Sequence, residues 1–458
     1  MTNLRYTPEE PIAAIATALS PGAIGIVRTS GKGAVELLSK IFSRPEALTN
    51  ASPNSLVYGW ICDGEKKIDQ VMVGVYRAPK SFTGEDMAEI FCHGGVAVVT
   101  AVHNLLLKSG FRQAERGEFT FRAFVNGKTD LTRAEAVKEI IDSKTDTSRS
   151  RAAGRLAGTL YSEIDSIKKL IVDTLAAIEV EIEYPEDEET IANSFDSTNL
   201  HIAAERLGTL VSSWKSEKLY QDGAKVVLCG KTNAGKSSLF NALLKEDRAI
   251  VSDVEGTTRD WLESWASFDG IPVRLFDTAG LRETDDIVEA AGVERTKDLS
   301  EDADLLLYVV DSRKGLEDDD RDFFSKKHSA PLIVAWNKCD AENSLPCPEK
   351  GDWAAAIPVS AKQGIGVGDL CRAAKTFLTE GSGSENTAAG LGSARQKKSV
   401  AEALERVTHA ISAADSGFAL DAVVQDLEDS LDSLGEVTGE VTADDVLESI
   451  FSNFCVGK

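Results

Sequence analysis

One short segment constrains this chain more than any other. Gly230–Lys231–Thr232–Asn233–Ala234–Gly235–Lys236–Ser237 fits the pattern GxxxxGK[ST] and directly follows the apolar run KVVLC. A buried strand ending in such a loop is a phosphate cradle. The glycines let backbone N–H groups curl around phosphates, Lys236 can reach the β and γ oxygens, and the Ser237 hydroxyl suits Mg²⁺. Taken alone, the pattern also fits an ordinary glycine-rich turn.

The residues that follow decide between the two. Gly256–Thr257–Thr258–Arg259–Asp260 offers a second Mg²⁺ hydroxyl, Thr258. Asp277–Thr278–Ala279–Gly280 follows the strand-like VRLF; Asp277 suits the outer shell of Mg²⁺, and the Gly280 N–H can sense a γ-phosphate. Asn337–Lys338–Cys339–Asp340 follows LIVAW. Its Asp340 carboxylate can pair with guanine N1–H and the 2-amino group, which adenine lacks. Ser360–Ala361–Lys362 follows IPV and can present a backbone N–H to the guanine O6, and Ser238 completes the loop run TNAGKSS. Five motifs in this order and strand context predict a Ras-like domain that binds GTP with Mg²⁺ and hydrolyses it.

Two positions stand out. The residue after DTAG commonly orients the attacking water as Gln, and here it is Leu281, which cannot. Either hydrolysis is slow or another group supplies the catalysis. Asn233, in the loop, is either a capping amide or a ligand for a monovalent cation beside the phosphates.

Around this domain the hydrophobic period changes. Residues 1–125 read as mixed α/β, with strand-like runs at Ala23–Arg28, Val71–Tyr76 and Glu89–Cys92 and a helical stretch after His93–Gly94–Gly95. Helical spacing runs from about 130 to Glu183, where Pro185 and the acidic run Glu186–Glu189 are expected to stop it, and again over about 196–221. Strand and helix signals alternate over 223–378, as in a parallel sheet with crossover helices. GSGSENTAAGLGS (381–393) reads as a flexible linker, and helical spacing resumes from Arg395 to Phe454. The economical organisation is an N-terminal α/β domain (1–125) and a helical domain (126–222 and 379–458). An α/β GTPase domain (223–378) is inserted in the latter.

Composition narrows the setting. The longest apolar run, Leu305–Val310, is far too short to span a membrane, and the N-terminus has neither signal-peptide nor transit-peptide character, so a cytoplasmic protein is expected. The seven cysteines are scattered and never spaced CxxC, which argues against structural zinc or a disulfide framework. Net charge is −24, yet residues 1–130 carry 14 Lys and Arg against 13 Asp and Glu, while 421–457 contain no Lys or Arg. Nucleic acid would therefore meet local basic surface, with Lys144, Arg149, Arg151 and Arg155 the expected patch.

Beyond the nucleotide motifs, the chain carries APKSFTGED (78–86), HGG (93–95), RGEFTFRAFVNGKTDL (116–131), EIEYPED (181–187) and the C-terminal FCVGK (454–458). With TNAGKSS, GTTRD, DTAGLRETDDIVE and NKCD, these resemble the tRNA modification GTPases called MnmE or TrmE over nearly the whole length. The resemblance implies an enzyme that acts with an FAD-containing partner on the wobble uridine (position 34) of certain tRNAs. It places an aminomethyl or carboxymethylaminomethyl group at carbon 5. It implies an N-terminal domain that forms a homodimer and binds a 5-formyltetrahydrofolate through Arg28, Glu89 and Lys128. It implies K⁺ held by Asn233, Ser252, Val254 and Thr257, and a water-positioning Glu289. Val456 stands where that family usually has Ile, and Thr232 where it often has Pro. Cys455 is either a functional thiolate or an inert thiol. A competing function is a regulatory GTPase switch of the ribosome-assembly type, with no modification chemistry; uptake of a reduced folate separates the two.

Overall fold

The computed structural model describes residues 10–183, 197–246, 263–277, 302–380, 389–416 and 420–458. The chain opens with β1 (Ile12–Ile15), β2 (Ile24–Ser30), α1 (Ala34–Ser39), α2 (Pro45–Thr49), β3 (Ser55–Asp63), β4 (Lys66–Tyr76), β5 (Met87–His93), α3 (Val96–Lys108), β6 (Arg112–Gln113) and α4 (Glu118–Val125). Helices α5 (Leu131–Asp142), α6 (Asp146–Ala157), α7 (Thr159–Glu183) and α8 (Thr198–Asp222) follow. Then come β7 (Ala224–Cys229), α9 (Lys236–Glu246), β8 (Glu263–Phe268), β9 (Ile271–Asp277), β10 (Leu305–Asp311), α10 (Asp318–Phe324), β11 (Leu332–Asn337), β12 (Ala355–Val359) and α11 (Val367–Thr379). The chain closes with α12 (Ala394–Asp415), α13 (Leu420–Thr438) and α14 (Asp444–Ser452). Two compact units result: one of residues 1–138, 164–195 and 405–458, the other of 139–163 and 196–404.

The first unit is built on a six-stranded sheet of order β3-β4-β5-β2-β1-β6, antiparallel except for the β1–β6 pair. Alternation along β2 and β5 sends Val27 and Ile90 into a core with Leu38, Leu48, Val73, Val102 and Leu106. The same alternation puts Arg28 and Glu89, which pair across the two strands, on the opposite face. A separate cluster joins Phe121, Leu131 and Ala134 to Leu447, Phe451 and Phe454, with the Phe121 and Phe451 rings edge to face at 5.4 Å. That packing carries the C-terminal FCVGK onto the N-terminal sheet, where Val456 bridges Arg116.

The second unit holds a six-stranded sheet of order β12-β11-β10-β7-β9-β8, parallel except for the β8–β9 hairpin. Every residue of β10 and β11 is buried, as expected of central strands covered on both faces. The alternating signals over 223–378 thus fold as a parallel sheet with crossover helices, and the expected mixture of α/β and helical parts is present.

Two expectations change in detail, and a third is not described. The continuous helical spacing after residue 130 is interrupted at Ser143–Thr145 and again at Gly158, which ends α6 in the left-handed region (φ 98°). The proposed stop at Pro185–Glu189 lies outside the described residues. The end of the expected linker is packed: Leu391 is buried, and Gly390 and Gly392 let carboxylates approach so closely that a Cβ at either would sit 2.2 Å from an oxygen of Glu217 or Glu139.

The expected basic patch is also corrected. Arg155 is only 3% exposed, pairing with Glu139 (2.6 Å) and with the 1%-exposed Glu217 (2.9 Å) and donating to the Gly390 carbonyl. Arg151 pairs with the same Glu217 at 2.5 Å and stacks on Tyr220. The buried Glu217, with the partly buried Glu139, draws these arginines inward, because a buried charge must be paired. Of the four residues, Arg149 is exposed but paired with Asp146, and Lys144 lies over the Trp265 ring.

Candidate functional site

The described nucleotide motifs, the loop 230–237, Asp277, 337–340 and 360–362, lie at the carboxyl ends of the parallel strands of the second unit, where open α/β sheets bind ligands. The chain leaves β7 into the loop Gly230–Gly235 and enters α9 at Lys236. Asn233 adopts φ 61°, a conformation Asn tolerates better than most residues, so the loop has a backbone reason for this residue beside any ligand role. Gly235 is required for space: a Cβ there would lie 2.2 Å from Asn337 Nδ2.

Asn337, 2% exposed, ties three motifs together. Its Nδ2 donates to the Ala234 carbonyl (2.9 Å), and its Oδ1 accepts from the Ala361 N–H (3.1 Å). The next residue, Lys338, has φ 66°, and its ammonium donates to the Asn233 carbonyl (2.8 Å) and to Asp311 (2.6 Å). Asp340 accepts from Gln363 Nε2 at 3.1 Å. Ser360 is buried, and its Oγ accepts from the Gln363 N–H (3.2 Å), shaping the turn that presents Ala361. The turns at 337–340 and 360–363 and the loop 230–237 are thereby fixed relative to each other by side chains rather than by contiguous backbone.

At the phosphate end, Lys236 Nζ spans the loop, donating to the carbonyls of Gly230 and Lys231 at 2.8 Å each. Ser237 Oγ donates to Asp277 Oδ2 at 3.1 Å. A hydroxyl beside a carboxylate at the end of a phosphate loop is a hard oxygen pair of the kind Mg²⁺ takes. Ser238 and Lys362 are exposed. Ser252, Val254, Gly256, Thr257, Thr258, Thr278, Ala279, Gly280 and Glu289 lie outside the described residues.

Sequence reasoning missed three supports of this edge. Asp311 ends β10 opposite Asn337 and binds both Lys338 and Arg313, which hold its carboxyl well below the usual range. Gln363 orients Asp340. Lys231 reaches Glu317 (2.6 Å), which raises the ammonium above lysine's ordinary value and ties the loop to the start of α10. An aspartate closing the buried run LLLYVVD was the available signal for Asp311.

The first unit gathers a second set. Arg28 pairs with Glu89 (2.8 Å), whose other oxygen accepts from Tyr76 OH (3.3 Å). Burial and the Glu89 carboxylate push the Tyr76 hydroxyl up from its ordinary value. The Arg28 guanidinium lies 5.5 Å from the Phe82 ring and 5.6 Å from the Phe119 ring, and it donates to the Gly457 carbonyl (3.3 Å). Lys128 does not join the pair directly; it donates to the Pro79 carbonyl (3.0 Å), in the loop that carries Phe82. Cys455 is exposed and free, and its carbonyl accepts from the Gly117 N–H. Tyr76, Phe82, Phe119 and Gly457 were not foreseen, although three of the four lie in or beside segments that carry the resemblance.

Comparison with known proteins gives the family. The family model described as GTP-binding protein TrmE N-terminus matches residues 11–128, and the model of the MnmE helical domain matches 131–455, a span that encloses the nucleotide motifs. The chain is 53% identical over 469 residues to the tRNA modification GTPase MnmE of Treponema denticola, covering 99% of each chain. It is 43% identical over 491 residues to that of Treponema pallidum, again covering 99% of each. Among solved structures, Aquifex aeolicus Era bound to GDP.AlF4- is 26% identical with a TM-score of 0.28, covering 40% of this chain and 66% of that one. With family models over both parts and relatives matched end to end, the chain belongs to the MnmE (TrmE) family of tRNA modification GTPases.

Proposed function

We propose that this chain hydrolyses GTP to drive modification of tRNA. With an FAD-containing partner it installs an aminomethyl or carboxymethylaminomethyl group at carbon 5 of the wobble uridine, working as a cytoplasmic homodimer. The GTPase domain comprises residues 223–378, inserted between the helical segments 126–222 and 379–458, and residues 1–125 bind the folate and form the dimer. The observation that carries this reading is the coexistence, in one chain, of a side-chain-tied guanine nucleotide edge with an Arg28–Glu89 pair against which the FCVGK tail is packed.

Each implied group has residues that suit it. Mg²⁺ would be held by Ser237 and Thr258 with Asp277 behind, and would neutralise charge on the β and γ oxygens. K⁺ would take oxygens from Asn233, Ser252, Val254 and Thr257. A 5-formyltetrahydrofolate would meet Glu89 at its pterin N–H groups, with Arg28 holding that carboxylate and the rings of Phe82 and Phe119 alongside, and Lys128 would be left for its anionic tail. When bound, the folate would supply a one-carbon unit, chemistry that a switch-type GTPase does not need. Among the described residues no helix is long and apolar enough to cross a membrane.

Equilibrium dialysis with 5-formyltetrahydrofolate separates the two readings. The full chain should take up the ligand, and Arg28→Ala should weaken uptake about tenfold or more, the worth of one charge-assisted hydrogen bond. A chain that takes up no reduced folate is instead the regulatory switch.

A further inference from the structure

The β8–β9 hairpin lies between two nucleotide motifs in sequence: GTTRD ends just before β8, and β9 ends on Asp277. Its turn, Asp269–Gly270, is left-handed at both residues (φ 50° and 92°). That turn is gripped from outside the GTPase motifs. Thr145 precedes α6 and caps it, its Oγ1 accepting from the Ser148 N–H at 3.2 Å. The same Oγ1 donates to the Gly270 carbonyl at 2.8 Å. A hydroxyl has one proton, so the 2.6 Å contact with Ser148 Oγ is a bond that Ser148 donates. Thr147 closes on the turn from the same helix, for a Cβ on Gly270 would lie 2.5 Å from its Oγ1. From the other side Lys375 holds the Asp269 carboxylate (3.0 Å) and carbonyl (3.2 Å).

We propose that Thr145 is a positioning residue for GTP hydrolysis, clasping the hairpin turn so that Asp277 stays in register with the phosphate loop. The physical need is specific. Among the described residues β8 is an edge strand, paired only with β9, and β9 meets the rest of the sheet only through its parallel ladder with β7. That ladder sets Asp277 opposite Leu228, within reach of Ser237. A slip of two residues along β7 preserves which face is apolar but displaces Asp277 by about 6.6 Å. The turn is the free end of the hairpin, so a clasp there opposes the slip with the greatest leverage. Trp265 adds a second hold, with Lys144 and Arg274 over its ring (5.9 and 5.5 Å) and Gly223 so close that a Cβ would be 2.6 Å from it. Because Thr145 belongs to the helical segment and not to the inserted domain, the helical part sets the alignment of the GTPase site.

This inference rests on the GTPase reading, and one experiment distinguishes the failure of each. Steady-state GTP hydrolysis and equilibrium GTP binding are measured on the full chain and on Thr145→Val, Thr145→Ser and Lys375→Met. Thr145→Val should lower kcat about fivefold, the factor that one hydrogen bond commands, with KM and binding stoichiometry within about twofold of wild type. Thr145→Ser, which keeps the hydroxyl, should restore kcat. Lys375→Met, which does not touch the α6 cap, should lower kcat in the same sense and decides the matter if Thr145→Val does not fold. A wild-type kcat in Thr145→Val, a serine variant no better than valine, or a loss matched by lost binding sites would overturn the proposal. A wild-type chain that binds GTP but never hydrolyses it would instead end the GTPase reading.

Discussion

Replacing Asp340 with asparagine is expected to lower GTP affinity by roughly tenfold to a hundredfold or more and to shift preference toward XTP. The carboxylate accepts from guanine N1–H and the 2-amino group; an amide NH₂ turned toward that 2-amino group leaves two donors facing each other. Xanthine carries a carbonyl oxygen at carbon 2, which the amide can satisfy. Asp340 is already oriented by Gln363 Nε2, and the strand end that carries it is fixed through Asn337 to the phosphate loop and to Ala361. The carboxylate proposed to read the base is therefore held in position without the ligand, so its loss is not expected to be absorbed by rearrangement. Competition of labelled GTP against ATP and XTP measures the effect. If Asp340→Asn still prefers GTP over XTP as strongly as wild type, the base-reading assignment is wrong.

The second large effect concerns the attacking water. Glu289→Ala is expected to reduce kcat by about 10²–10⁴-fold with little change in GTP affinity, the usual range for a group that handles a proton or orients a nucleophile. Leu281 occupies the position after DTAG and offers the water no hydrogen bond. The resemblance assigns the missing role to Glu289 and the neutralisation of developing charge to K⁺ held at Asn233. Hydrolysis should therefore be faster in KCl than in NaCl, since a nest of backbone, hydroxyl and amide oxygens discriminates between the two ions by cavity size and ligand number. Asn233→Ala should abolish that difference and leave base recognition intact. Equal rates in the two salts remove the cation from the mechanism, and an unimpaired Glu289→Ala removes the carboxylate.

How far these sites were legible depended on how local their chemistry is. The phosphate loop, NKCD and SAK motifs are contiguous runs whose order and strand context single out one physical use, and the buried strands before them are short apolar runs. Asp311 was not legible, because its contact with Lys338 exists only through the ladder that sets Asp311 opposite Asn337. Arg151 and Arg155 read as surface cations because helical spacing cannot show a carboxylate arriving from α8; Glu217 pairs with both. The Gly- and Ser-rich run before α12 read as linker from composition. Its last residues pack because one leucine, Leu391, fills a buried position and the flanking glycines admit Glu217 and Glu139. In the first unit, Arg28 and Glu89 came from the resemblance, and only the β2–β5 register explains why they meet.

If the GTPase cycle of this chain serves modification of tRNA, the decisive measurement is nucleoside analysis of tRNA from cells lacking the chain, complemented with wild type or with Lys236→Ala. The carbon-5 aminomethyl and carboxymethylaminomethyl derivatives of the wobble uridine should disappear, return with wild type, and fail to return with Lys236→Ala. Undiminished wobble modification in cells lacking the chain would contradict it.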